Sequence, residues 1–228
     1  MRLFTMKYFK ILLALGAFAL AQSPAVSAAT FNFVDYADSD SDSDGHHEWG
    51  YPTSGFVVTE DSITLTATGK YGQGEAYAYL DDLSGGREAG LGVCQKLDGG
   101  NQCSPSSDDN VTKGETLILN FGQTVNLETL NLSNGNHYSK KDSFNGTFGL
   151  TIDGVDKGNK TLSSLVTLNL TGQIFRLYNN NADEGDNKQQ FYISSLNVSA
   201  VPVPAAAFLF APALLGFMGL RRKAKNAA

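Results

Sequence analysis

Short alternations of apolar and polar residues recur along the middle of the chain and constrain its fold more than any other feature. Residues 55–59 and 62–68 alternate on either side of the turn pair Glu60 and Asp61, a pattern that predicts a β-hairpin. Successive side chains of a strand point to opposite faces, so a period of two indicates half-buried strands. Further segments of this kind are 31–34, 75–80, 116–121, 127–132, 146–152, 162–170, 174–178 and 191–198.

Clusters of Asn, Asp, Gly and Ser separate these segments, as turns require. About ten short strands with such turns predict an all-β fold, either an antiparallel two-sheet sandwich or jelly roll or, as the alternative, a barrel. Residues 30–200 are enough for one domain with a hydrophobic core.

The first 29 residues have the pattern of a secretory signal peptide. Arg2, Lys7 and Lys10 precede an apolar run at 11–21, and small residues follow at 26–29. The run is shorter than the ~20 residues that a spanning helix needs. The sequence therefore predicts that the chain leaves the cytoplasm, with cleavage after Ala28 or Ala29.

The C-terminal residues 201–228 combine a proline motif, a short apolar run and a basic end. The motif consists of Val201, Pro202, Val203, Pro204, Ala205 and Ala206, and the basic cluster includes Arg221, Arg222 and Lys223. The positive-inside rule keeps such a cluster in the cytoplasm. Residues 205–220 are short for a bilayer, so they predict a short hydrophobic helix that acts as a temporary anchor.

This tail resembles PEP-CTERM sorting signals of the VPxPA (VPLPA-CTERM) variety, with Val203 in the place of the founding motif's Glu. The resemblance implies a Gram-negative bacterium, transient anchoring in the inner membrane and processing by an exosortase-like membrane enzyme. It further implies delivery to the outer cell surface or the extracellular matrix. A permanent single-span anchor and a glycosylphosphatidylinositol signal are the alternatives, although the latter signal ends in its apolar stretch.

The charge of the chain is unevenly distributed. It has 23 acidic and 17 basic residues, and seven of the basic ones lie in the two terminal segments. The part between them therefore has 17 − 7 = 10 basic and 23 acidic residues, a net charge near −13. Such a surface repels nucleic acid and attracts divalent cations, so nucleic-acid binding is excluded as a function.

Two acidic clusters are candidate Ca²⁺ sites. The first contains Asp40, Asp42 and Asp44, followed by Gly45 and Glu48. It begins like an EF-hand loop, but Tyr51 stands where the bidentate Glu belongs. Two interpretations stay open, a calcium loop of another type and a solvated acidic linker.

The second cluster consists of Asp108, Asp109, Asn110 and Glu115. Its carboxylate and amide oxygens are suitable ligands for a structural Ca²⁺ ion, and the alternative is an ordinary Asp/Asn turn before a strand. The nearby Cys94 and Cys103 predict a disulfide, because the chain is exported and further metal ligands are missing.

Sequence motifs of catalysis are absent: the chain has no G-x-S-x-G and no H-E-x-x-H. No catalytic residue is predicted, and the leading hypothesis is a non-enzymatic binding or structural module for exopolysaccharide or biofilm. Protein–protein adhesion within a matrix is the first alternative. A secreted polysaccharide hydrolase is the second, because its carboxylate pair would leave no fixed spacing in the sequence.

Overall fold

The computed structural model describes residues 27–39, 49–83, 87–139, 144–179 and 186–201, which belong to one compact unit, Ser27–Val201. Most of the predicted signal peptide, the first acidic cluster (Asp40, Asp42, Asp44 and Glu48) and the tail beyond residue 201 lie outside these residues. Within the described part of the chain, no helix has the length and apolar character needed to cross a membrane.

Strands dominate the described residues, and every pairing between them is antiparallel. The prediction of an all-β antiparallel fold is confirmed. The strands are β1 (Ala28–Asn32), β2 (Trp49–Gly50), β3 (Phe56–Glu60), β4 (Ile63–Tyr71), β5 (Gly74–Leu83), β6 (Arg87–Cys94), β7 (Glu115–Asn134), β8 (Thr147–Ile152), β9 (Val155–Thr161), β10 (Leu165–Tyr178) and β11 (Phe191–Ala200), and helix α1 (Phe33–Ser39) follows β1.

The long strand β7 joins the parts of the sheet. The strand order is β1-β11-β6-β5-β4-β7-β10-β8-β9, and β7 also pairs with β11. The first part of β7 pairs with β4 and the second with β11, and Gly122 lies between them with a φ of 64° that favours glycine. Because β7 pairs at both its ends, the strands β4, β7, β11, β6 and β5 form a closed circuit.

Aromatic rings from three strands pack together in the hydrophobic core. Phe31 of β1 meets Phe121 of β7 at a centroid distance of 6.0 Å, and Phe121 meets Phe175 of β10 at 5.9 Å. All three rings are fully buried and pack edge to face. Burying a side chain of this size contributes about 1.5–3 kcal/mol, so these contacts are a main stabilising feature of the core.

Helix α1 replaces the end of the strand predicted at 31–34. Phe33, Tyr36 and Ala37 follow the i, i+3, i+4 spacing of a helix face, and Phe33 and Ala37 are fully buried. Asp35 lies in the first turn, where a negative charge favours the helix, and Asn32 Nδ2 donates to Asp35 Oδ2 at 2.6 Å. The strand therefore ends at Asn32.

Strand β1 begins two residues before the domain start predicted at residue 30. Ala28 pairs with Ser199 and Ala29 with Val198, and the side chain of Ala29 is buried. Cleavage after Ala28 or Ala29 would therefore remove the first residues of this ladder.

Candidate binding cleft and the buried acidic segment

The predicted disulfide between Cys94 and Cys103 is confirmed. Its Cα atoms are 5.8 Å apart, and both cysteines are buried against Tyr79 and Leu97. The hydroxyl of Tyr79 accepts a hydrogen bond from the backbone N–H of Cys103 at 3.3 Å. The bridge thus fixes the chain that follows β6 to the face of β5.

The next segment, residues 104–114, lies directly on β6. A Cβ added to Gly92 would stand 2.0 Å from the carbonyl oxygen of Asp109, so only glycine allows this approach. The backbone N–H of Val111 donates to the carbonyl of Phe191 at 2.8 Å. The Asn179 side-chain amide also donates to the carbonyl of Val111. These contacts hold the second acidic cluster between β6, β10 and β11.

A cleft of about 370 Å³ opens beside this segment. It is lined by Tyr71, Gln95, Pro105, Ser107, Asp108, Thr112, Lys113 and Gln190. The side chain of Tyr71 is 45% exposed at the end of β4, and its ring lies beside Gly114, where an added Cβ would meet it at 3.2 Å. The cleft therefore offers one exposed aromatic ring surrounded by amide, hydroxyl and charged groups.

Asp108 and Gln95 form the polar wall of the cleft. Asp108 accepts from the backbone N–H of Gln95 at 3.1 Å and from its side-chain amide at 3.0 Å. Burial raises the pKa of Asp108, and the two hydrogen bonds from Gln95 oppose that shift. The carboxylate is thereby held in a fixed orientation in the cleft wall.

Glu115 lies behind this wall and is fully buried. Its Oε2 accepts from the backbone N–H of Thr112 at 2.9 Å. The pKa of Glu115 is raised to about 9, mainly by burial; the charges of Asp108 and Asp109 contribute to this rise, and hydrogen bonds from Thr112 and Gln95 oppose it. In the structure as it stands, the protonated form of Glu115 is therefore favoured at neutral pH.

The side chains of Asp109 and Asn110 belong to a different hydrogen-bond network, centred on Tyr192. Tyr192 of β11 donates to Asp109 Oδ1 at 2.5 Å, and His137 Nε2 lies 3.0 Å from the Tyr192 hydroxyl and 3.1 Å from Asp81 Oδ2. Burial and the charges of Asp109 and Asp81 raise the pKa of Tyr192 well above its usual value. These four side chains form a polar chain through the interior, which stabilises the end of β5, the turn at His137 and the start of β11.

The second predicted calcium cluster is thus brought into one segment, but its side chains divide between two networks. Asp108 and Glu115 face Gln95, whereas Asp109 and Asn110 contact Tyr192. Among the His, Cys, Asp and Glu side chains that the structure describes, Cys94, Cys103 and Asp108 bring three such ligand atoms together, and disulfide sulfurs are not thiolate ligands. Calcium binding stays a prediction for both acidic clusters.

Sequence reasoning missed Tyr71, Gln95, His137 and Tyr192. The four side chains come from separate elements, and no spacing in the sequence connects them. The one available sign was compositional, because the segment that carries the second acidic cluster directly follows the two cysteines of the disulfide.

The fold and the cleft define an antiparallel, disulfide-containing all-β protein. No family model and no curated protein matches the chain. It is similar to a solved family 32 carbohydrate-binding module from C. perfringens NanJ, in complex with galactose, with 15% identity over 67% of this chain and 98% of that one. The TM-score is 0.29, so this similarity establishes neither fold nor function.

Proposed function

We propose that the protein is an exported, non-catalytic module that binds neutral polysaccharide through the cleft beside Tyr71. The observation that carries this proposal is the exposed Tyr71 ring next to Asp108 and Gln95. Sugar rings pack their C–H faces on aromatic rings, and their hydroxyl groups bond to carboxylate and amide groups. A cleft of about 370 Å³ falls within the usual size of small-molecule sites, ~300–1,000 Å³.

The strong negative charge of the domain supports a neutral rather than an acidic polymer. Residues 27–201 contain all 23 acidic residues and 10 of the 17 basic ones, so the net charge of this part is near −13. A uronic-acid or sulfated polymer would be repelled over most of this surface. Neutral hexose polymers carry no such penalty.

A second cavity, of about 440 Å³, lies along β7 and β11. None of the ten described residues that line it is aromatic, and its walls are formed mainly by Asn and Ser side chains. It therefore lacks the flat apolar surface on which a sugar ring packs. This difference favours the cleft beside Tyr71.

The same proposal includes the predicted address. Residues 1–29 act as a signal peptide, 205–220 anchor the chain transiently in the inner membrane, and an exosortase-like enzyme cleaves near Pro202 and Pro204. The sandwich-type domain is then delivered to the outer surface or extracellular matrix. The intact mass of protein recovered from the cell surface tests this: we expect loss of both termini, and a full C-terminal tail would contradict processing.

Electrophoresis through gels that contain neutral or acidic polysaccharide tests the binding proposal. We expect neutral polymers to retard the wild type and Tyr71→Ala to abolish the retardation. Tyr138→Ala is the matched control, because the Tyr138 side chain is similarly exposed, at 43%, and follows a different strand. Equal retardation of the wild type and Tyr71→Ala, or binding of acidic polymers only, would contradict the proposal.

Release of reducing ends is measured in the same samples. Turnover of the retained polysaccharide would show a hydrolase instead of a binding module. Binding of another protein in place of any polysaccharide would favour the adhesion alternative.

A further inference from the structure

Three buried oxygen atoms of the segment 108–115 have no hydrogen-bond partner. They are Glu115 Oε1, Asn110 Oδ1 and Thr112 Oγ1, and their residues are 0%, 3% and 9% exposed. A buried acceptor without a donor costs about 1–3 kcal/mol, and a charged one costs more. Two of them, Glu115 Oε1 and Thr112 Oγ1, belong to residues that contact each other beside Asp108, and this indicates that a group supplying positive charge or donors belongs there.

Glu115 also lacks a cation. Among the described residues it forms no ion pair, whereas the buried Asp81 is paired with His137 and the buried Asp109 accepts from Tyr192. The charges that act on Glu115 are those of Asp108 and Asp109, both negative. An uncompensated buried carboxylate is strongly destabilising, so either a proton or a metal ion must neutralise it.

We propose that a Ca²⁺ ion binds between Glu115 and Asp108, with the hydroxyl oxygen of Thr112 as a further ligand. All of these are hard oxygen donors, which is the ligand set that Ca²⁺ takes in proteins. The ion site shares Asp108 with the wall of the proposed glycan cleft, but its buried ligand Glu115 lies behind that wall, so the two proposals are tested with different variants.

Gln95 is the side chain that would respond to the ion. Its amide donates to Asp108 and also interacts with Glu115, so it lies between the two carboxyl groups. A bound cation would replace this donor, and rotation of the amide would present the Gln95 oxygen as another ligand. Binding thus requires only a local side-chain change in a segment whose backbone is held by β6, β10 and β11.

Thermal unfolding of the purified protein with 5 mM CaCl₂ or with EDTA tests the proposal. A ligand at about a hundred times its dissociation constant stabilises a domain of this size enough to raise Tm by about 5–10 °C. We expect this shift in the wild type and its loss in Glu115→Gln. The triple variant Asp40→Asn, Asp42→Asn, Asp44→Asn is the matched control, because it removes the other predicted calcium cluster, and it should keep the shift.

Thr112→Val gives a second, independent arm. The replacement has the same shape and removes only the unpartnered hydroxyl, so without a metal ion it is neutral or stabilising. With a bound ion it removes a ligand, and we expect Ca²⁺ affinity to fall by about tenfold, measured by displacement of Tb³⁺ luminescence excited through tyrosine. This readout remains available if Glu115→Gln folds poorly.

Two results would overturn the inference. The first is a wild type whose Tm and Tb³⁺ luminescence do not respond to Ca²⁺. The second is a Ca²⁺ shift that the triple Asp variant loses and Glu115→Gln keeps, which would place the ion in the first acidic cluster. Loss of the Ca²⁺ response with unchanged polysaccharide retardation would separate this site from the proposed function.

Discussion

Tyr36 shows how a single hydroxyl couples stability to pH. It donates to Glu60 Oε1 at 2.8 Å, and its ring packs against those of Phe33 and Phe56. Burial, followed by the hydrogen bond and charge of Glu60, raises the pKa of Tyr36 above its ordinary value of 10.0. The protonated form is therefore favoured more in the folded state than in the unfolded chain.

The sign of the pH effect follows from that shift. Above pH 10 the unfolded chain loses the Tyr36 proton while the folded protein keeps it, so the free energy of unfolding falls as pH rises. The contribution is fully present below pH 10. We expect urea unfolding between pH 8 and 11 to show a steeper alkaline loss in the wild type than in Tyr36→Phe. Superimposable pH profiles of the two proteins would refute this.

The interior chain of Asp81, His137, Tyr192 and Asp109 shows what a sequence does not reveal about a site. Asp81 and Asp109 are ordinary in a chain with 23 acidic residues, and His137 has no ligand spacing around it. They meet because β5 and β11 are both bound to β6 and the segment 104–114 lies on β6. Only pairing at long sequence separation brings them together.

At the scale of elements, Gly92 is the position on which the placement of the acidic segment depends. A methyl group there would overlap the Asp109 carbonyl, and the nearby atom is backbone that cannot rotate away. We expect Gly92→Ala to destabilise the protein by about 1–3 kcal/mol, the usual cost of overpacking, and to displace Asp108 from the cleft. The measurement is urea unfolding, together with polysaccharide retardation.

Gly99→Ala is the control for this substitution. No atom lies within 4 Å of a Cβ built on Gly99, in the loop between the two cysteines. Its stability should stay within about 0.5 kcal/mol of the wild type. If Gly92→Ala were equally stable, the close approach of the segment to β6 would be wrong.

The strands themselves were largely predictable, because one face of each is buried. The predicted hairpin is present as β3 and β4, but Glu60 is the last residue of β3 and the turn is Asp61 and Ser62, both with positive φ. Two residues with positive φ give the tight turn that suits hairpin twist, and Asp adopts this conformation more readily than most residues. The residue types predicted the hairpin and misplaced its turn by one residue.

Strands β2 and β6 were not among the predicted segments, and neither were the two elements considered next, strand β9 and helix α1. Strand β9 is exposed along most of its length, so it carries no apolar alternation, and the Asp153–Gly154 turn that creates it has positive φ at both residues. Helix α1 has only seven residues, which is too short for periodicity to distinguish it from a strand. In both cases the tertiary neighbours decide the structure.

At the scale of the whole molecule, strand β7 holds the polar cleft in place, because it pairs with other strands at both its ends. β7 begins at the buried Glu115 and later pairs with β11, which carries Tyr192. Two strands predicted separately at 116–121 and 127–132 are one because Gly122 allows the bend between them. The cleft therefore rests on the most extensively paired strand of the described residues.

The measurement that tests the central claim most directly is calorimetric titration of a neutral oligosaccharide into the wild type, Tyr71→Phe and Tyr71→Ala. If the exposed ring is the platform for the sugar, Tyr71→Phe should bind within about threefold of the wild type. Tyr71→Ala should lose at least tenfold in affinity, about 1.4 kcal/mol. Equal affinities of the wild type and Tyr71→Ala would contradict the account and place any sugar binding elsewhere.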